Sequence, residues 1–301
     1  MIPPLPLTTP TQTWHWHNLP ICYQQVGDQG PPVLLIHGFG ASWGHWRHNL
    51  PVLGEEYCCY ALDLLGFGAS AKPKPGDPFP YTFEIWAAQI ADFCREVVGE
   101  PAFLVGNSIG AIAAMETAVN YPDQVQGLAA LNFSLRLLHE RKRDTQPWHQ
   151  QFSTPILQGL LKQPWFHQFF FRTIAQPRPV RQALLQAYHN PAAVTDELLA
   201  MLLKPARDPG AAAVFAAFTT YSQGPLPEDL LPQLRCPTLV IWGEADPWEP
   251  VALGREVANL GTVEDFIALP NVGHCPQDEA PELVNPILLT WLARHTVAIA
   301  S

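Results

Sequence analysis

The chain alternates short apolar runs with longer segments of helical period, and that alternation leaves few folds open to it. PPVLLIHG (Pro31–Gly38), YCCYAL (Tyr57–Leu62), PAFLVG (Pro101–Gly106), VQGLAAL (Val125–Leu131), CPTLVIWG (Cys236–Gly243) and TVEDFIALP (Thr262–Pro270) all read as strands. Short runs this apolar suit parallel strands buried on both faces, because helices cover each face. Helical period appears from Thr82, which stands at the N-cap position, after Ser108, and from Ala280 to Arg294. Strands alternating with helices predict an α/β domain on a mostly parallel, doubly wound sheet. Ahead of it, TWHWHNLPICYQQVG predicts a hairpin turning at Asn18-Leu19-Pro20.

One segment breaks the alternation. From Ser134 to Leu234 no strand pattern occurs, and helical stretches rich in Phe, Trp and Leu are broken by prolines. This segment is expected to form a helical cap over the sheet. Residues 1–133 and 235–301 then make the core domain, and residues 134–234 the cap. A chain of 301 residues, 48% hydrophobic and 15% charged, supplies enough apolar material for a large core.

A net charge of −10 argues against nucleic acid as a partner, since the chain offers no broad basic footprint. The one basic cluster, Arg136, Arg141, Lys142 and Arg143, reads as a solvated face, with contact to acidic lipid headgroups as the alternative. The six cysteines show no metal-ligand spacing and read as reduced thiols of a cytoplasmic-type compartment. The segment MIPPLPLTTP lacks the basic and apolar regions of a secretory signal, and no apolar run is long enough to span a membrane. A soluble protein is expected, still able to touch a membrane from outside.

VGNSIGA, Val105 to Ala111, lies where a predicted strand becomes a predicted helix. It holds a G-x-S-x-G pattern, Gly106 to Gly110. A serine on such a turn stands exposed above the sheet, and the glycines let strand and helix approach closely. Serine is a weak nucleophile until a base takes its proton and an acid orients that base. His274, in NVGHCP, is the candidate base, and Asp246, in WGEADPW, the candidate acid, with Glu244 as a rival. All three positions follow predicted strands, and open parallel sheets build their sites beyond the carboxyl ends of strands. The oxyanion donors are expected to be the backbone N–H groups of Ile109 and of Phe39, in the glycine-rich loop His37-Gly38-Phe39-Gly40. Gly38 and Asn107 are expected at the substrate. DLLGFGAS, from Asp63, is read as a structural turn, because it lacks the strand–GxGxxG–helix setting of a dinucleotide site.

These motifs occur in the order HGFG, DLLGFGAS, GNSIG, WGEAD and GH, and together they resemble the α/β-hydrolases over about residues 12 to 295. Ala111 departs from the pattern, since many members have a further glycine there. The resemblance implies acyl transfer rather than epoxide or haloalkane hydrolysis, because relatives with those activities have an aspartate in place of Ser108. A closer resemblance lies in EADPWEP, GHCPQDEAPELVN and GNSIG, which are similar to stretches of pheophytinases and chlorophyll dephytylases. It extends weakly through LLKQP and LKPARDPGAAAVFAAF. This implies cleavage of a phytyl ester, with no metal or organic cofactor.

The aromatic run PWFHQFFFR fits a lipophilic substrate, and Trp165, Phe166 and Phe170 are expected to contact it or a lipid surface. Three readings stand at this point. The first is a serine carboxylesterase acting on chlorophyll or pheophytin, with peripheral contact to a photosynthetic membrane through the cap. The second is an esterase or C–C bond hydrolase for another apolar substrate. The third is a non-catalytic ligand-binding protein of the same fold.

Overall fold

Eight strands pair into one sheet among the residues described by the computed structural model, which are 2–145, 159–161, 163–261 and 263–299. They are β1 (Gln12–Trp16), β2 (Leu19–Val26), β3 (Pro32–Ile36), β4 (Cys58–Leu62), β5 (Ala102–Asn107), β6 (Val125–Leu131), β7 (Thr238–Gly243) and β8 (Val263–Leu269). Thr262, where the sequence pattern begins the last strand, is outside the described residues. The order across the sheet is β1-β2-β4-β3-β5-β6-β7-β8. Strands β3 to β8 are mutually parallel, and β2 runs antiparallel to both of its neighbours.

The hairpin turns one position earlier than the sequence suggested. His17 and Asn18 both have positive φ, 48° and 62°, while Leu19 and Pro20 already belong to β2. Two left-handed residues give the turn a twist that matches its strands, and a proline is tolerated near the start of a strand.

The continuous apolar runs are explained by burial on both faces. Leu34, Ile36, Leu104, Leu128, Ala130, Val240 and Trp242 pack into one layer, while Val33, Leu35, Phe103, Val105, Ala129, Leu239 and Ile241 pack into the other. Successive side chains of a strand point to opposite faces, so a strand covered on both sides shows no polar alternation.

Among the described residues three α-helices precede β6: α1 (Leu50–Leu53), α2 (Phe83–Phe93) and α3 (Ile109–Asn120). Thr82 does hold the extended N-cap position of α2, but its side chain caps no N–H. Between β6 and β7 the described residues form helices and no strand: α4 (Pro164–Ile174), α5 (Pro177–Ala187), α6 (Asp196–Leu203), α7 (Ala211–Thr219) and α8 (Pro227–Leu230). Then come α9 (Val251–Ala258), α10 (Pro276–Glu279) and α11 (Pro281–Ile299). No helix among the described residues is long and apolar enough to cross a membrane.

Helix α4 divides its aromatic residues by face. Phe166 stacks on Phe170, and Phe170 and Phe171 lie 6.2 and 5.2 Å from the Phe215 ring of α7. Trp165 and Phe169, one helical turn apart, are each 68% exposed. The end of α5 is tied to the core by polar contacts. Tyr188 donates to Asp278 Oδ2 at 2.7 Å, and Arg47 binds Asp278 Oδ1 at 2.5 Å, all three side chains being buried.

The basic cluster is not a free cationic face. Arg136 donates to the carbonyls of Tyr221, Gln223 and Pro225, Arg141 pairs with Asp229, and Lys142 pairs with Glu228. These cations hold the segment after β6 against α8 and its flanks, and the side chain of Arg143 is outside the description.

Gly110 shows how closely α3 approaches the sheet: a Cβ there would lie 2.4 Å from the His37 carbonyl oxygen and 2.5 Å from that of Ile36. Backbone cannot yield as a side chain does, so Gly110→Ala is expected to overpack the junction by about 1–3 kcal/mol. Thermal denaturation should show a melting temperature lower by roughly 5 °C, the shift such a loss produces in a domain of this size.

Candidate active site

Ser108 has φ 57° and ψ −121°, a left-handed conformation costly for any residue with a Cβ. The surroundings hold it there. Its N–H donates to Leu131 O at 3.0 Å, and its carbonyl accepts from Ser134 N at 3.2 Å. Gly106 makes room for the tight turn, since a Cβ there would lie 2.6 Å from the Ala111 backbone. β5 ends at Asn107 and α3 begins at Ile109, so one residue carries the whole reversal.

The strands then bring the distant groups together. Asp246 lies three residues past β7, and His274 five past β8. His274 Nδ1 is 2.7 Å from Asp246 Oδ2, and His274 Nε2 is 3.0 Å from Ser108 Oγ. The carboxylate can only accept, so Nδ1 carries the proton and the Nε2 lone pair faces the serine hydroxyl. Burial opposes the charge on Asp246, but hydrogen bonds from His274, Asn132 and the Trp248 N–H outweigh it and hold the carboxyl below its usual range. The sequence rival Glu244 makes no such contact among the described residues, whereas Asp246 Oδ1 also accepts the N–H groups of Trp248 and Glu249.

The loop after β3 lies against the nucleophile. A Cβ on Gly38 would sit 3.2 Å from Ser108 Cβ. His37 is buried, and that burial pushes its pKa down to about 4, so the ring is neutral. Its Nε2 accepts from Leu64 N at 3.1 Å, which leaves Nδ1–H to donate to Gly38 O at 2.7 Å. The Gly38 carbonyl and the Phe39 N–H share one trans peptide plane. Anchoring the carbonyl on His37 therefore aims the Phe39 N–H the opposite way, and no described residue accepts it. Ile109 begins α3, where backbone N–H groups are free of helical partners and the helix dipole favours negative charge. The DLLGFGAS turn braces this loop: Asp63 accepts from Trp43 N at 2.6 Å and Ala69 N at 2.7 Å.

Residues 33–287 match the profile of the family described as "Alpha/beta hydrolase family". The chain belongs to that family. Among its relatives, "Pheophytinase, chloroplastic" of Arabidopsis thaliana is 25% identical over 91% of this chain, and the chain spans 64% of that protein's length. "Epoxide hydrolase 4" of Homo sapiens is 26% identical over 98% of this chain and 83% of that one. A solved structure of "a membrane phospholipase A, a novel bacterial virulence factor" superposes with a TM-score of 0.74 at 25% identity, covering 95% of this chain and 86% of that one.

In this α/β hydrolase a cavity of about 790 Å³ opens over Ser108 and His274. Gly38, Phe39 and Ile109 line it, with Tyr188, Trp248 and the half-buried Arg136. Asn107 lines the cavity, but its amide nitrogen is spent on the carbonyls of Leu131 and His274, so the side chain braces the turn. Trp165, Phe166 and Phe170 are absent from the described cavity lining, because α4 turns the latter two onto each other and exposes the first.

Sequence reasoning missed two supports. Asn132, at φ 37° just past β6, donates to Asp246 Oδ2 at 2.8 Å and accepts from Gly243 N at 2.9 Å. The available signal was an asparagine at the carboxyl end of a strand, a residue that tolerates the left-handed region. Glu279 accepts from Gly273 N at 2.8 Å and Asn190 N at 2.6 Å, and His274 N donates to Ala187 O at 2.8 Å. The His274 loop is thus held between α10 and the end of α5.

Asn132→Ala removes a donor to a buried carboxylate and leaves the Gly243 N–H unpaired. Steady-state kinetics on a substrate that the wild type hydrolyses should show kcat lowered by about 10- to 100-fold, the worth of a hydrogen bond to a charged group, with KM little changed.

Burial raises the Glu249 carboxyl from its ordinary 4.5 to about 7. Its contribution to stability is therefore complete below pH 4.5 and lost as the pH rises through about 7. Relative to Glu249→Gln, the wild type should lose on the order of 2–3 kcal/mol of unfolding free energy across that window, measured by denaturant titration at a series of pH values.

Proposed function

We propose that the protein is a serine carboxylesterase acting on lipophilic esters, and that its substrate is the phytyl ester of a chlorophyll-type pigment. The observation that carries the ester reading is the Ser108–His274–Asp246 relay, with contacts of 3.0 and 2.7 Å beneath an open cavity. Ser108 attacks the ester carbonyl as His274 takes the hydroxyl proton and Asp246 stabilises the resulting imidazolium. The N–H groups of Phe39 and Ile109 receive the oxyanion. His274 protonates the departing alcohol, and a water activated by the same ring then releases the acid. A serine at the elbow separates this chemistry from that of relatives such as the epoxide hydrolase, whose fold is shared but whose nucleophile is expected to be an aspartate. The complete relay argues against a purely ligand-binding role.

The pigment reading is supported by the similarity to the Arabidopsis pheophytinase along 91% of this chain. It is also supported by an apolar surround that suits a long alcohol. The helical segment 134–234 acts as the cap of the site in this reading. The exposed Trp165 and Phe169 ridge would rest on the lipid surface that holds the pigment, since both rings are 68% exposed on one face of α4. Another lipid ester is the second reading, favoured by the likeness to the membrane phospholipase A structure.

The test is incubation of the purified protein and its Ser108→Ala form with detergent-solubilised chlorophyll a and pheophytin a, with products separated by chromatography. Wild type is expected to release phytol and the matching acid, and Ser108→Ala to release neither. Turnover of p-nitrophenyl esters without pigment cleavage would transfer the assignment to another lipophilic ester.

A further inference from the structure

A second cavity of about 460 Å³ adjoins the one over Ser108. The two share Phe39, Leu184, Leu202 and Trp248 in their walls, so they adjoin across these side chains. Their linings differ in chemistry. The cavity over Ser108 is also mostly apolar, but it carries Ser134, Arg136, His139, Tyr221 and Glu249 besides. The second is lined by α4, α5, α6 and α7 with residues such as Phe171, Ile174, Val180, Leu203 and Phe215. Lys72 is the single charged residue among its described lining, and its ammonium is already bound by the carbonyls of Gly68 and Ser70 and by Asp208. Its volume alone falls within the range of about 300–1,000 Å³ that holds a small ligand.

We infer that this second cavity holds the hydrocarbon chain of the substrate's alcohol, while the acid half stays in the larger cavity over Ser108, whose mostly apolar wall also carries charged and polar side chains. The inference rests on the esterase reading and deepens it. The leaving oxygen must lie within hydrogen-bond reach of His274 Nε2 to take its proton. Trp248 meets the His274 ring edge-on at 5.1 Å and walls both cavities. A chain attached to the leaving oxygen therefore passes Trp248 on one side and Phe39 on the other. The Phe39 ring is set there by stacking on Phe218 at 5.0 Å and by an edge contact with Phe67 at 5.6 Å. The second cavity offers a chain no hydrogen-bond partner to lose and no free charge to bury, so selection there is by length and apolarity. Each methylene buried strengthens binding by about fourfold until the cavity is full.

Binding can be tested apart from catalysis. Ser108→Ala protein would be titrated with butanol, octanol, dodecanol and hexadecanol, followed by tryptophan fluorescence and calorimetry. The same titrations would be run with Ala183→Trp added. Ala183 lines the second cavity from an exposed position on α5, so a larger side chain fills the cavity without entering the core. Affinity should rise by about fourfold per methylene and then level off, and Ala183→Trp should weaken hexadecanol by about tenfold or more while leaving butanol unchanged. Ala206→Trp, at another lining position, repeats the test if Ala183→Trp melts early.

Affinity independent of chain length, or the same length dependence in the filled variants, would overturn the inference. So would a loss in the filled variants for fatty acids of matching length, titrated in the same way, and not for the alcohols, which would place the acyl chain there instead. Hydrolysis by protein with native Ser108, of hexadecyl against ethyl esters of one acid, reports separately. Chain binding without turnover of either ester would leave the cavity assignment standing and remove the esterase reading. Turnover of both esters without chain binding would do the reverse.

Discussion

The left-handed backbone of Ser108 is the constraint on which the site depends. At φ 57° and ψ −121° the residue reverses the chain in a single step, from the end of β5 to the start of α3. The strain is tolerable because the neighbours leave it no alternative. Gly106 and Gly110 allow backbone-to-backbone approaches that a Cβ would prevent, and Leu131 and Ser134 hold the peptide groups on either side. Backbone strain persists where the surroundings over-determine it. Here it is balanced by a sheet buried on both faces, whose side chains divide between two apolar layers.

Around that turn the site is assembled from the carboxyl ends of five adjacent strands. Gly38 follows β3, Ser108 follows β5, Asn132 follows β6, Asp246 follows β7 and His274 follows β8. The strand order reverses between β3 and β5, which opens the crevice between their ends where ligands bind in such sheets. Each group is supported by another layer of hydrogen bonds: Asn132 on Asp246, His37 on the Gly38 carbonyl, and Glu279 on the Gly273 N–H. The helical segment is part of this support as well as a wall. Ala187 O accepts from His274 N, and Tyr188 reaches Asp278, so the end of α5 and the histidine loop are held together.

Much of this was legible in the residues. Continuous apolar runs indicated the parallel sheet, because strands covered on both faces need no polar alternation. G-x-S-x-G between strand and helix indicated the turn, because few other residue patterns accept that geometry. Asp246 and His274 could be singled out because each follows a strand in chain order. Asn132 could not, since nothing local in LNFS announces that its amide will lie between Asp246 and Gly243, more than a hundred positions away. How the α4 rings divide between faces was not legible for a related reason. Five large rings fit a substrate pocket by composition, yet helix rotation sent Phe166 and Phe170 against each other and left Trp165 exposed.

The sequence by itself determined the fold class, the turn at Ser108 and the chemical types of the groups that gather there. These follow from local rules: hydrophobic period, glycine where no Cβ fits, and residue types able to carry a proton. The tertiary structure decided which carboxylate meets His274, what holds each group in place, and which of two adjoining cavities gathers the charged and polar side chains near Ser108. Those outcomes depend on distances between segments far apart in the chain, and such distances exist only once the sheet has set its strand order and the helices have packed upon it.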